Sequence, residues 1–389
     1  MNIMFVTGMF VKKGKNLGGM PNYVYKATTA LKERGHNAYI LAADDENREW
    51  EYKGVKVFSV KTFPHITRYA WIAYGLHAVL RDIVLQKKIK ELVKQLDINL
   101  IQYTGWFGVG LFHSKKMGVP AVMRMSSYAK IQLISAFTSK QIKVISKMEQ
   151  LASRNMNGIF APSNVIAEAF GKDIGKTVRV IETPFRLECK EDDWDYSLWK
   201  EKLNNRKYLL FFGRLTPDKG ILTIARALYD ILEKNRDIFV VFAGDLTAIN
   251  KKSILDVLKD SAKEHSERII YLGSLNREKL YPVILKAYAV LMPSLMDNLP
   301  NSCMEAMYFE KIVVGTKGTS LDQMIEDGVS GLLIETDNDK ELIDKINILM
   351  NMNCCEIKAM GMKAKERILC MHPDITIEQL EQYYMNYLI

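Results

Sequence analysis

The sequence is poor in the residues that build disulfide frameworks and zinc sites. Its five cysteines (Cys189, Cys303, Cys354, Cys355, Cys370) are an odd number, with no CxxC pair and no clustering among the six histidines. They read as reduced thiols, as in a cytoplasm. No apolar stretch reaches the roughly 18 residues of a membrane-spanning helix. The opening MNIMFVTGMF lacks a basic leader and a small-residue cleavage site, which argues against a secretory signal. No Ser/His/Asp or Cys/His arrangement offers a protein nucleophile. The first Gly-rich loop lacks GxGxxG and a following acidic residue, which disfavours a nicotinamide-dependent dehydrogenase.

What is present is ordinary globular composition, with 48% hydrophobic and 25% charged residues. At 389 residues the chain is long enough for two large domains. The net charge of +9 is unevenly spread: residues 1–185 hold 27 Lys+Arg against 13 Asp+Glu (+14), leaving 27 against 32 (−5) for the remainder. That asymmetry points either to an anionic partner for the first half, a phosphorylated acceptor or the inner face of a membrane, or to a solvated basic surface with no partner. The clusters Lys87–Lys88–Lys90, Lys115–Lys116 and Lys140–Lys143–Lys147 are the candidates. None is interleaved with aromatics in a nucleic-acid pattern, so no nucleic-acid partner is expected.

Apolar runs and helical periodicity alternate along the chain. IMFVTG reads as a strand, KKGKNLGGMP as a loop, residues 21–34 as a helix and 37–42 as a strand. Further strands are predicted near 55–60, 99–104 and 120–125, with helices near 75–96, 107–117 and 138–155. The cycle repeats from KYLLFFG onward. The spacing therefore predicts an α/β protein with two Rossmann-like doubly wound domains facing a central cleft. Their bounds are 1–185, a polar linker at 186–204, 205–370, and a terminal helix over 371–389 packing back on the first domain. The DWD at 193–195 lies in the linker and reads as solvated polarity.

Four motifs fall at predicted strand ends, where α/β sheets bind ligands. LGGMP places Gly18 and Gly19 before the first helix, allowing close approach of an anion. FFGRLTPDKG places Arg214 and Lys219 on a loop leading into a helix, where cations oppose the dipole unless an anion is bound. SLMDNLPNSCMEAM sets Asp297 and Glu305 around a turn whose Pro300 suits a helix start. The backbone of Asn298, Leu299, Pro300, Asn301 and Ser302 would then face an anion. A carboxylate beside an anion site prefers a neutral diol, such as ribose, and Glu305 is the candidate. Asp297 and Glu305 could instead simply charge the helix start. The fourth motif, VVGTKGTSLDQMIEDGVSGLLIE, carries structure more than chemistry.

Together these stretches resemble the GT-B glycosyltransferases, specifically the retaining family 4 (glycosyl transferases group 1). The likeness is tightest over about 205–335, with FFGRLTPDKG, VFAGD, the MPSLMDNLPNSCMEAM stretch and DGVSGLL in order. The resemblance implies transfer of a sugar from a nucleotide-diphosphate donor, uridine being the family's commonest base, to a lipid-linked or polysaccharide acceptor. It implies that Arg214 and Lys219 bind the diphosphate, that Glu305 holds the ribose and that Asp297 contacts the donor sugar. Gly18–Gly19 and the backbone at 298–302 complete the cradle, with no metal and no other cofactor. Asp297 stands where the family usually has Glu. Ser126 stands where many members carry a histidine, with Arg124 or Ser127 as possible substitutes. A catalytically silent partner subunit and a sugar-nucleotide epimerase of the same fold are the alternatives. A cytoplasmic protein, peripheral on the inner membrane face, is expected.

Overall fold

The computed structural model describes residues 1–10, 19–62, 71–132, 137–249 and 252–388. It forms two compact units, one of Met1–Pro184 with Met371–Ile389 and one of Phe185–Cys370.

In the first unit the strands are β1 (Asn2–Thr7), β2 (Asn37–Asp44), β3 (Arg48–Tyr52), β4 (Val55–Lys61), β5 (Leu100–Tyr103), β6 (Ala121–Arg124), β7 (Gly158–Ala161) and β8 (Arg179–Val180). They make one sheet in the order β3-β4-β2-β1-β5-β6-β7-β8. Every pairing is parallel except β3 with β4. Strand β1 shows why its run is apolar on both sides. Ile3 and Phe5 join a core with Val24 and Leu31 of helix Gly19–Glu33, while Met4 and Val6 join a second core with Leu85 and Ile89 of helix Trp71–Gln95. A central parallel strand is covered on each face, so its residues cannot alternate with polar ones.

The terminal helix Pro373–Met385 belongs to the first unit. Ile377, Leu380 and Tyr384 enter the β1 core, and the Tyr384 hydroxyl donates to the Gln102 side chain. Glu381 holds Arg34 at 2.8 Å and His36 at 2.9 Å. Gly158 is explained by this docking, because a Cβ there would lie 2.5 Å from the hydroxyls of both Tyr383 and Tyr387.

The second unit contains β9 (Lys207–Phe212), β10 (Ile238–Ala243), the short antiparallel pair β11 (Ala248–Ile249) and β12 (Lys252–Ser253), β13 (Ile269–Tyr271), β14 (Ala289–Met292), β15 (Ile312–Thr316) and β16 (Leu332–Ile334). Its main sheet runs β13-β10-β9-β14-β15-β16 and is wholly parallel. Neither β3 nor the pair β11–β12 is anticipated by the sequence.

Two expectations change. The helix predicted over 107–117 is replaced by single 3₁₀ turns at Trp106–Gly108 and Lys115–Met117. Gly105, Gly108 and Gly110 have φ of 68°, 75° and 93°, and a Cβ on Gly105 would meet the Met125 sulfur at 2.7 Å, so no continuous helix can form. The stretch 186–204, expected as a linker, lies within the second unit. Its helix Ser197–Lys202 packs against helix Arg277–Lys286, and the Trp194 ring sits 6.0 Å from Tyr281 and 5.4 Å from Phe309.

Candidate active site

The second unit gathers charge at the carboxyl ends of its central strands. After β9 the chain turns at Gly213, passes Arg214 and makes a 3₁₀ turn at Pro217–Lys219 before helix Ile221–Lys234. Gly220, with φ of 72°, joins the two, and a Cβ there would lie 1.7 Å from the Pro293 carbonyl oxygen. The chain after β14 therefore runs hard against this turn, and Leu295 donates its amide to the Asp218 carbonyl at 3.0 Å.

That close approach brings Lys219 to Asp297. The Nζ to Oδ2 distance is 2.7 Å, and the two side chains are 23% and 13% exposed. Asp297 also accepts from the Ser294 hydroxyl at 3.1 Å and from the Asn298 amide at 3.2 Å. Arg214 is more open, with a side chain 65% exposed and its nearest ion-pair contact to Asp218 at 3.7 Å. A surface pair at that distance contributes little and yields readily to a stronger anion.

The following turn uses Leu299 in the left-handed region, φ 48°, with its side chain buried. Its amide donates to the Ser320 hydroxyl at 2.6 Å. Leu299 is thus occupied as a donor and Pro300 has none, which narrows the cradle drawn from sequence. Helix Asn301–Tyr308 begins after Pro300 with no side-chain cap, and the amides of Cys303 and Met304 turn back to the Pro300 carbonyl. Asn301 and Ser302 occupy the first turn, the positively polarised end of the helix. Cys303 is sealed, and burial reinforced by Asp297 pushes its thiol well above the ordinary range.

Glu305 is only 2% exposed. Arg277, at the start of helix Arg277–Lys286, reaches its Oε1 with Nη2 at 3.1 Å, and Arg277 Nε lies 3.5 Å from Glu188 Oε2. Burial works against this guanidinium's charge, yet Glu305 and Glu188 hold its pKa above the usual arginine value. Arg277 was missed from sequence, although it carries the signal that marks Lys219: a cation where a helix begins. Burial, reinforced by Glu305, also pushes up the Tyr281 hydroxyl.

In the first unit, Gly19 opens helix Gly19–Glu33, and Gly18 lies outside the described residues. Ser126 accepts from Arg124 at 2.7 Å, and the same guanidinium donates to Thr183 at 2.7 Å and covers the Tyr23 ring at 3.5 Å. Arg124 is 3% exposed, and burial lowers its pKa to about 10. It is occupied within the fold and is no evident replacement for a sugar-binding histidine.

Comparison with known proteins assigns the two halves together. Residues 17–188 match the family described as Glycosyltransferase Family 4, and residues 196–367 match Glycosyl transferases group 1. The chain is a group 1, family 4 glycosyltransferase. It is 23% identical over 353 residues to an uncharacterized glycosyltransferase of Methanocaldococcus jannaschii, covering 90% of this chain and 89% of that one. It is also 30% identical over 146 residues to the lipopolysaccharide 1,2-N-acetylglucosaminetransferase of Salmonella typhimurium, covering 36% and 38%. Among solved structures, the HepE protein of Anabaena in complex with UDP and glucose superposes with a TM-score of 0.70 over 99% of each chain at 19% identity. This glycosyltransferase therefore has the GT-B fold.

Among the described residues, no helix is long and apolar enough to cross a membrane.

Proposed function

We propose that this glycosyltransferase takes its sugar from a uridine diphosphate donor and passes it, with retention of configuration, to a hydroxyl of a lipid-linked or polysaccharide acceptor. The observation that carries this reading is the charge arrangement at the ends of β9 and β14. Lys219 and Arg214 lie on the loop after β9, and Asp297 with the uncapped start of helix Asn301–Tyr308 follows β14. Cations and helix amides suit a diphosphate, while the buried carboxylate of Glu305 suits a ribose diol. The UDP complex of HepE supports uridine as the base.

In the proposed reaction the bond between the sugar's anomeric carbon and the diphosphate oxygen breaks on the face that the acceptor hydroxyl approaches. Arg214 and Lys219 stabilise charge as it grows on the leaving diphosphate. That oxygen takes the acceptor's proton, and the acceptor oxygen forms the new glycosidic bond. Lys219 would exchange part of its contact with Asp297 for phosphate, leaving Asp297 to accept from sugar hydroxyls. No metal is needed in this scheme, because the two cations supply the positive charge.

Calorimetric titration of UDP, GDP and ADP without metal, into the wild type and Glu305→Ala, is the test. UDP should bind most tightly, and the substitution should weaken it by roughly 1–3 kcal/mol, the cost of a lost polar contact. If no diphosphate binds the wild type, the donor site is refuted. The basic first half is proposed to meet an anionic membrane surface at which the acceptor is presented. Sedimentation with phosphatidylglycerol vesicles should exceed that with neutral vesicles and decline with salt, and equal sedimentation would end the membrane proposal.

A further inference from the structure

Arg277 is poorly placed for the helix that carries it. Asn276 caps that helix by accepting from the Lys279 amide, and a guanidinium at the first position is repelled by the positive end of the dipole. Its position is explained by what it reaches. One nitrogen lies 3.1 Å from Glu305 Oε1 and another 3.5 Å from Glu188 Oε2, so the rigid planar fork bridges two carboxylates from separate parts of the chain. Glu305 is buried on a different helix, where an ionised carboxyl is costly unless a cation and hydrogen bonds compensate it.

We propose that Arg277 is a positioning residue for the donor nucleotide, fixing the Glu305 carboxylate in the orientation that accepts hydrogen bonds from the ribose hydroxyls. This rests on the donor-site reading above and adds to it a residue that touches no reacting atom. A ribose diol is recognised only by an acceptor held in place and ionised, because a protonated or rotated carboxyl offers the hydroxyls a donor or the wrong geometry. Aiming such a group by a second residue resembles the way outer partners orient the ligands of other sites. Glu188 anchors the other side of the fork, so that the guanidinium cannot swing away when the nucleotide arrives.

The test separates ribose recognition from diphosphate recognition with three probes: UDP, 2′,3′-dideoxy-UDP and inorganic pyrophosphate. Arg277→Met should weaken UDP about tenfold, the size of one charge-assisted hydrogen bond. It should leave dideoxy-UDP and pyrophosphate within about threefold, since neither carries the diol and the distant charge is screened. Arg277→Lys should recover most of the UDP affinity, because it restores a cation beside Glu305. Equal losses for all three probes, or UDP binding unchanged in Arg277→Met, would overturn the proposal. If Arg277→Met does not fold, Arg277→Gln takes its place with the same expectations. Glu305→Ala measured alongside distinguishes the failures. UDP affinity unchanged in Glu305→Ala refutes the ribose site itself, whereas a loss there without one in Arg277→Met refutes only the role of Arg277.

Discussion

The two units are built alike on largely parallel sheets, yet the ionisable groups around their strand-end loops differ sharply in exposure. In the second unit Lys219 and Arg214 are 23% and 65% exposed in their side chains, and each has a carboxylate nearby. In the first unit Arg81, Asp82, Arg124 and Glu149 are each no more than 3% exposed. Arg81 donates to the Phe107 carbonyl at 2.6 Å, Asp82 accepts from the amides of Gly110 and Phe112, and Glu149 accepts from those of Phe107 and Ala129. These sealed groups tie down irregular loops after β5 and β6. A partly wet ion pair can change partners at small cost, whereas a sealed one cannot. Lys219 and Arg214 can thus adapt, whereas the buried groups of the first unit, like the Arg277–Glu305 pair of the second, are fixed.

Three substitutions would break or sharpen that contrast. The largest effect is expected from Gly220→Ala, which puts a methyl group into the Pro293 carbonyl and strains a left-handed residue. It should cost more than about 3 kcal/mol, seen as a Tm lowered by roughly 6–12 °C. Proteolysis should open the second unit first, and a melting curve matching the wild type would show that the two strand-end loops are not interlocked. Next, Lys219→Met removes an adaptable cation from a protein that should still fold. The kcat is expected to drop about a hundredfold with little change in Tm. A large fall in Tm at unchanged kcat would place Lys219 with the sealed charges.

The smallest effect concerns Glu149, whose complete burial raises its carboxyl from 4.5 to about 8 despite the amides of Ala129 and Phe107. A carboxyl raised in the folded state binds more protons there than in the unfolded chain. Its contribution is therefore greatest at low pH and is lost as pH rises through the window from 4.5 to about 8. His113, buried and lowered from 6.5 to about 4, acts oppositely below 6.5, so the decline should show most clearly between 6.5 and 8. Glu149→Gln, which mimics the neutral acid, should flatten the fall in Tm across that interval. An unchanged slope would mean that Glu149 is not the group responsible.

The architecture was legible because buried parallel strands leave continuous apolar runs, and IMFVTG, KYLLFF and YAVLM each announce one. Asp297 and Lys219 were legible because each stands in a short motif whose turn chemistry can be read locally. Arg277 was not, since its meaning depends on Glu305, which reaches it only through the packing of two helices. Leu299 shows the same limit: its amide is used by Ser320, beyond β15, and nothing in DNLPNS reveals it. At 107–117 a helix was expected, but the left-handed glycines at 105, 108 and 110 decide otherwise. At 186–204 the acidic residues concealed Trp194, whose packing ties the stretch to the second unit.

The return of helix Pro373–Met385 to the first unit has a consequence for synthesis. The first unit needs Ile377, Leu380 and Tyr384 to complete the core around β1, and these residues leave the ribosome after the whole of the second unit. All of Phe185–Cys370 will have emerged by then. The usual order, in which the domain nearest the amino terminus finishes first, is therefore reversed, and the nascent first unit waits with an open hydrophobic face while its successor can already close.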